Sequence, residues 1–133
     1  MAVISTESVP VQSEPDVVAV RRRVREASAR LGFSLVDQTK VVTAASELAR
    51  NTVIYGGGGT MQMEMLNGPR NGLRLTFEDK GPGIADINLA LRDGFTTGSG
   101  LGLGLGGAKR LVNEFEVSSR SGEGTKVTVI RWK

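Results

Sequence analysis

The sequence predicts an α+β fold: a two-layer α/β sandwich with helices on one face of a mixed, mostly antiparallel sheet. Two observations predict it. Segments 61–65 and 73–77 alternate apolar and polar residues, whereas 17–31 and 41–49 repeat apolar residues at helical spacing. Their order is strand, two helices, two strands, a loop-and-helix region and two strands, which supplies one sheet and a helical layer to cover it. At 133 residues the chain is expected to be a single domain over 1–133.

The first dozen residues alternate weakly and read as an edge strand, the only kind of strand that tolerates Pro10. Ser13 is placed to cap a helix and Pro15 suits its first turn. Val17, Val20, Val24, Ala27 and Leu31 then follow one helical face, and Gly32 ends it. A second helix begins at Ser34, which with Asp37 makes a variant capping box, and runs to the glycines at 56–59. Val41, Ala45, Leu48 and Ala49 form its apolar arc, and Glu47 and Asn51, four apart, sit together at the edge of that arc.

Met61, Met63 and Met65 then alternate along a strand, "NGPRNG" turns the chain, and Leu73, Leu75 and Phe77 alternate back to Asp79. The methionines read as one sheet face packed on the core. A short helical piece is expected near 87–91, and Ala108, Leu111 and Val112 predict a helix to about Glu114. A last hairpin pairs 115–119 with 126–132 across "SGEGT".

Composition excludes several functions. There is neither cysteine nor histidine, so disulfides, thiolate metal sites and a phosphohistidine on this chain are ruled out. A net charge of +3 is mild, and Arg21, Arg22 and Arg23 read as a solvated helix face, so no nucleic-acid partner is expected. Neither a run of ~20 apolar residues nor a signal-like start is present, which predicts a cytoplasmic protein without a membrane partner.

The stretch "FTTGSGLGLGLGGAKR" at 95–110 invites three readings. Gly102, Gly104 and Gly107 match a dinucleotide fingerprint, but no strand leads directly into them and too little chain follows for a Rossmann half. A Walker loop fails for want of a following Gly-Lys-Ser/Thr. What remains is a glycine-rich loop entering a helix N-terminus, which suits bound phosphate; taken alone, it suits a tight helix crossing as well.

Three segments read together are more specific. "SELARN" sets an acid and an amide one helical turn apart, "EDKGPGI" ends a strand on an aspartate before two glycines, and "GSGLGLGLGG" opens a helix. In this order and spacing the chain resembles the Bergerat-fold (GHKL) ATPase/kinase superfamily of gyrase, Hsp90, histidine kinases and MutL. "GFSLVDQTKVVTAASELARN" and "LRDGFTTGSGLGLGLGGAKRLVNEF" look closest to the serine/threonine kinases of bacterial sigma-factor regulation, and among them to the stressosome switch-kinase (RsbT) type. The anti-sigma kinases of the RsbW and SpoIIAB type commonly carry an arginine before the second glycine box, where this chain has Gly98 and Ser99.

The resemblance implies ATP and Mg²⁺ as cofactors and assigns roles. Glu47 is implied as the general base for an attacking hydroxyl, and Asn51 as a Mg²⁺ ligand and ATP contact. Asp79 is implied to accept from the adenine amino group, with Gly81 and Gly83 letting backbone approach the base. Gly100, Gly102, Gly104 and Gly106 are implied to line the phosphates, Thr125 to reach adenine through water, and Arg50 and Lys109 to touch phosphate. Its implied substrate is a STAS-domain antagonist, and its implied partner after release a PP2C-type phosphatase regulator. Two rival expectations stand beside this one: an anti-sigma factor that sequesters a sigma subunit, and an adaptor that binds ATP without transferring phosphate.

Overall fold

The computed structural model describes residues 2–84 and 105–133. Among these, strand β1 (Ala2–Val11) leads into helices α1 (Glu14–Arg30) and α2 (Leu35–Ile54). The hairpin β2 (Gly59–Asn67) and β3 (Gly72–Asp79) follows, then a short helix α3 (Leu105–Arg110), then the hairpin β4 (Glu114–Arg120) and β5 (Gly124–Trp132). The strand order is β1-β2-β3-β5-β4, and every neighbouring pair is antiparallel. The sheet among the described residues is therefore uniform rather than mixed, because each junction within it is a hairpin or a return across the helical layer. The short helix expected near 87–91 lies outside the described residues.

The core forms where the two periodicities meet. Val20, Val24 and Ala27 of α1 and Val41, Ala45, Leu48 and Ala49 of α2 are buried against Met61, Met63, Leu73, Leu75, Phe77, Val127 and Val129 of the sheet. Each large side chain among these contributes about 1.5–3 kcal/mol by leaving water. The methionine face packs as its alternation predicts: Met61 and Met63 are buried, and Met65 is partly buried against the same cluster.

The opposite sheet face carries its own polar pairs. Arg74 Nε and Nη2 donate to the two carboxylate oxygens of Glu64 at 2.7 and 2.9 Å. The indole of Trp132 lies across Gly72, where a Cβ would stand 2.5 Å from the ring, and Trp132 Nε1 donates to Glu114 Oε2 at 2.8 Å.

Three local expectations are corrected. Ser13 occupies the N-cap of α1 but makes no side-chain cap bond; Asp16 Oδ2 instead accepts from Gln12 N–H at 2.8 Å, tying the helix start to the end of β1. Ser34 does cap α2, accepting from Asp37 N–H at 3.1 Å, yet the capping box is one-sided. The Asp37 carboxylate accepts from Arg131 Nη2 at 2.7 Å. Finally, α3 stops at Arg110 rather than near Glu114. Asn113 N–H donates to the Ile130 carbonyl and Asn113 Oδ1 accepts from Trp132 N–H, so the sheet captures the chain before another helical turn can form.

Candidate functional site

The inward-facing alternation of the two central strands continues past the core and turns polar. On β3 it runs Leu73, Leu75, Phe77 and then Asp79; on β5 it runs Val129, Val127 and then Thr125. Asp79 and Thr125 are register partners, so a carboxylate and a hydroxyl stand side by side where apolar packing ends. Leu48, Asn51 and Thr52 of α2 and its C-cap Tyr55 share one helical face, and all four line the same cleft.

The far side of this cleft is formed by Gly56, Gly83, Ile84 and Leu105. Phe77, Ile84 and Leu105 are buried and give it apolar walls, and Asp79 is the only charged residue among its described lining. Such a surface suits a flat, largely apolar ring whose edge carries a hydrogen-bond donor.

Asp79 is held from several sides. Its Oδ1 accepts from Gly81 N–H at 2.9 Å, a local turn closed two residues on. A Cβ on Gly56 would come within 2.4 Å of Asp79 Cγ, one on Gly81 within 2.7 Å of Gly56 Cα, and one on Gly124 within 2.2 Å of the Asp79 carbonyl oxygen. Backbone thus crowds the aspartate as closely as a chain can. Gly83 has φ +78, and a Cβ there would meet the Arg120 carbonyl oxygen at 2.1 Å. The loop after Asp79 is stapled to the β4–β5 hairpin by Gly122 N–H donating to the Pro82 carbonyl at 2.6 Å and Ile84 N–H donating to Ser119 Oγ at 2.7 Å.

Of the residues singled out from sequence, Asn51, Asp79, Gly83 and Thr125 line this one cleft, and Gly81 packs at its rim. Glu47 is half-buried one helical turn before Asn51 and does not line the cleft itself. Arg50 and Lys109 are exposed, and Gly106 is buried within α3. Gly100, Gly102 and Gly104 lie outside the described residues. Sequence reasoning passed over Thr52, Tyr55, Gly56, Ile84, Leu105 and Ser119. For Thr52 and Tyr55 a signal existed, since they extend the Leu48 face by whole turns. Gly56 and Ser119 carried none, because their partners are brought near only by the sheet.

An α+β sandwich whose helical layer and two central strands enclose a largely apolar cleft with a carboxylate at its edge suits a nucleotide-binding domain. The chain belongs to the histidine kinase-, DNA gyrase B- and HSP90-like ATPase family, whose model matches residues 36–133. It is 46% identical over 125 residues to the serine/threonine-protein kinase RsbT of Bacillus subtilis (strain 168), covering 93% of this chain and 94% of that one. It is 29% identical to the anti-sigma F factor of Thermoanaerobacter sp. (strain X514), covering 84% of this chain and 82% of the relative.

Among solved structures it superposes on the RsbU and RsbW domains of a Mycobacterium tuberculosis protein with a TM-score of 0.64 at 21% identity, over 96% of this chain and 32% of that one. It superposes on the mycobacterial sensor histidine kinase MprB with a TM-score of 0.57 at 18% identity, over 96% and 97%. These structural likenesses establish the fold. ATP use comes with the family, and serine/threonine kinase activity of the partner-switching kind with relatives this similar. No described helix is long and apolar enough to cross a membrane.

Proposed function

We propose that this kinase phosphorylates a serine or threonine of a small STAS-domain antagonist and, once released from it, activates a PP2C-type phosphatase. The observation that carries the ATP site is the convergence of Asn51, Asp79, Gly83 and Thr125 on one cleft, although they come from α2, β3, the following loop and β5. In this reading Asp79 accepts from the adenine 6-amino group, since an ionised carboxylate only accepts. The apolar walls from Phe77, Ile84 and Leu105 hold the ring and exclude water from that bond.

Magnesium fits the donors present. No cluster of three or more acidic or other ligating side chains exists among the described residues, and Mg²⁺ characteristically takes one or two protein oxygens plus phosphate oxygens and water. The Asn51 amide oxygen is the protein group at the cleft that would hold it, and the bound ion would neutralise phosphate charge. Glu47, one turn earlier on the same edge of α2, is the group that takes the proton from the attacking hydroxyl. A phosphate on the antagonist adds about two negative charges at the interface, which weakens that complex and frees the kinase.

The test is incubation of the chain with labelled ATP, Mg²⁺ and a STAS-domain protein from the same organism. Label on that protein that is lost in Glu47→Ala, with ATP binding retained, is the expected result. Tight ATP binding without transfer would mark a nucleotide-sensing adaptor instead. The similarity to an anti-sigma factor makes sigma capture the other reading to test, and recovery of a sigma subunit on the immobilised chain would establish it.

A further inference from the structure

We infer that Ser119 is a positioning residue of the base pocket, which fixes the Thr125 hydroxyl as a hydrogen-bond acceptor toward the cleft and so makes the pocket select a 6-amino over a 6-oxo purine. The inference rests on reading the cleft as the nucleotide site. It follows from counting protons. Ser119 Oγ has three neighbours: Ile84 N at 2.7 Å, the Gly124 carbonyl oxygen at 2.9 Å and Thr125 Oγ1 at 2.8 Å. Ile84 N–H can only donate, and the Gly124 carbonyl can only accept.

The single proton of Ser119 is therefore committed to Gly124. The third bond then forms only if Thr125 donates to Ser119. With its proton spent away from the cleft, Thr125 offers the cleft only lone pairs. Asp79, its register partner, is also acceptor-only there: one oxygen takes Gly81 N–H, and the other has no partner among the described residues. Two acceptors side by side welcome an exocyclic amino group or a donating water, and they oppose a carbonyl oxygen at the same position. Asp79 alone disfavours the carbonyl through charge. The Ser119 relay removes the alternative in which Thr125 turns its proton outward and rescues it.

Binding of ATP and of inosine triphosphate, which differs at position 6 of the base, tests this by calorimetry. Wild type should prefer ATP, and Ser119→Ala should lower the ATP-to-inosine-triphosphate affinity ratio about fivefold to tenfold, the size of one hydrogen bond. Ser119→Thr, which keeps the hydroxyl, should restore the ratio, and in a Thr125→Val background Ser119→Ala should leave the ratio unmoved. Equal weakening of both nucleotides by Ser119→Ala would reduce Ser119 to a loop staple and overturn the inference.

Ser119→Ala also removes the bond to Ile84, so Thr125→Val alone provides an independent decision if that variant does not fold. It should weaken ATP while sparing inosine triphosphate, and an equal loss for both would refute the relay. A wild-type chain that binds neither nucleotide would instead refute the reading of the cleft.

Discussion

The Asp79 carboxylate occupies the space that a side chain on Gly56 would need: a Cβ there would lie 2.4 Å from Asp79 Cγ and 2.6 Å from Oδ2. The segment after α2 and the end of β3 are thereby locked together at the point where the cleft carries the only charge among its described lining residues. Gly56→Ala should displace that carboxylate and weaken ATP binding at least tenfold, because one charge-assisted hydrogen bond is worth about 1.5–3 kcal/mol. Asp79→Asn, which swaps one acceptor for a donor, should do the same. Calorimetric affinities equal to wild type in either variant would remove Asp79 from the base site.

Gly124 and Gly122 separate backbone strain from close approach. Both have positive φ, +92 and +80, but a Cβ on Gly122 meets nothing within 4 Å whereas one on Gly124 strikes the Asp79 carbonyl oxygen. Gly122→Ala should cost about 1 kcal/mol, the left-handed penalty alone. Gly124→Ala should cost roughly 3 kcal/mol or more, since backbone must also give way. Urea melts that show equal losses would mean the close approach is not tight.

The two helix caps should respond unequally to the same substitution. Ser34→Ala removes a cap bond and should destabilise by about 1 kcal/mol. Ser13→Ala removes none and should stay within about 0.5 kcal/mol of wild type. Equal effects in chemical denaturation would show that the Ser13 hydroxyl contributes after all.

The Asp37–Arg131 pair should give stability a pH dependence. Hydrogen bonding and charge attraction from Arg131 hold the Asp37 carboxyl below its ordinary value of 3.8. A carboxyl depressed in the folded state contributes stability that is present above its unfolded pKa and is lost as pH falls through the folded one. Asp37→Asn should therefore cost about 1 kcal/mol near neutrality, a modest amount because the pair is partly solvated, with side chains 27% and 15% exposed. Below about pH 3.8 the gap to wild type should narrow, and a gap that stays constant between pH 7 and pH 3 would deny the pair that role. Arg131 also donates to the Leu111 carbonyl at 3.3 Å, so its loss should loosen the segment after α3 as well.

Much of this was legible in the residues. Period-two runs at 61–65 and 73–77 and helical spacing at 17–31 and 41–49 give the elements, because burial on one face imposes those periods on any amphipathic segment. Glu47 and Asn51 stood out as polar groups at an apolar helix edge, and Asp79 and Gly83 through the resemblance of their motif to a known family; of these, Asn51, Asp79 and Gly83 meet at the cleft. The end of α3 was not legible, since Asn113 is captured by Ile130 and Trp132, residues far along the chain. Nor was the sheet's uniform antiparallel pairing, because strand partners are chosen by the whole layer rather than by any one segment.

Taken by itself, the sequence determined which segments are helix or strand, which face of each is buried, and which polar residues stand out against that pattern. Those properties are local, set by backbone period and by hydration of side chains within a few residues. Only the tertiary structure decided that Asp79 abuts Gly56, that Thr125 stands beside Asp79, and that Ser119 Oγ comes within 2.8 Å of Thr125 Oγ1. Such contacts depend on register and on approach distances of a few ångströms between distant segments, and packing of the complete sheet against its helices fixes both.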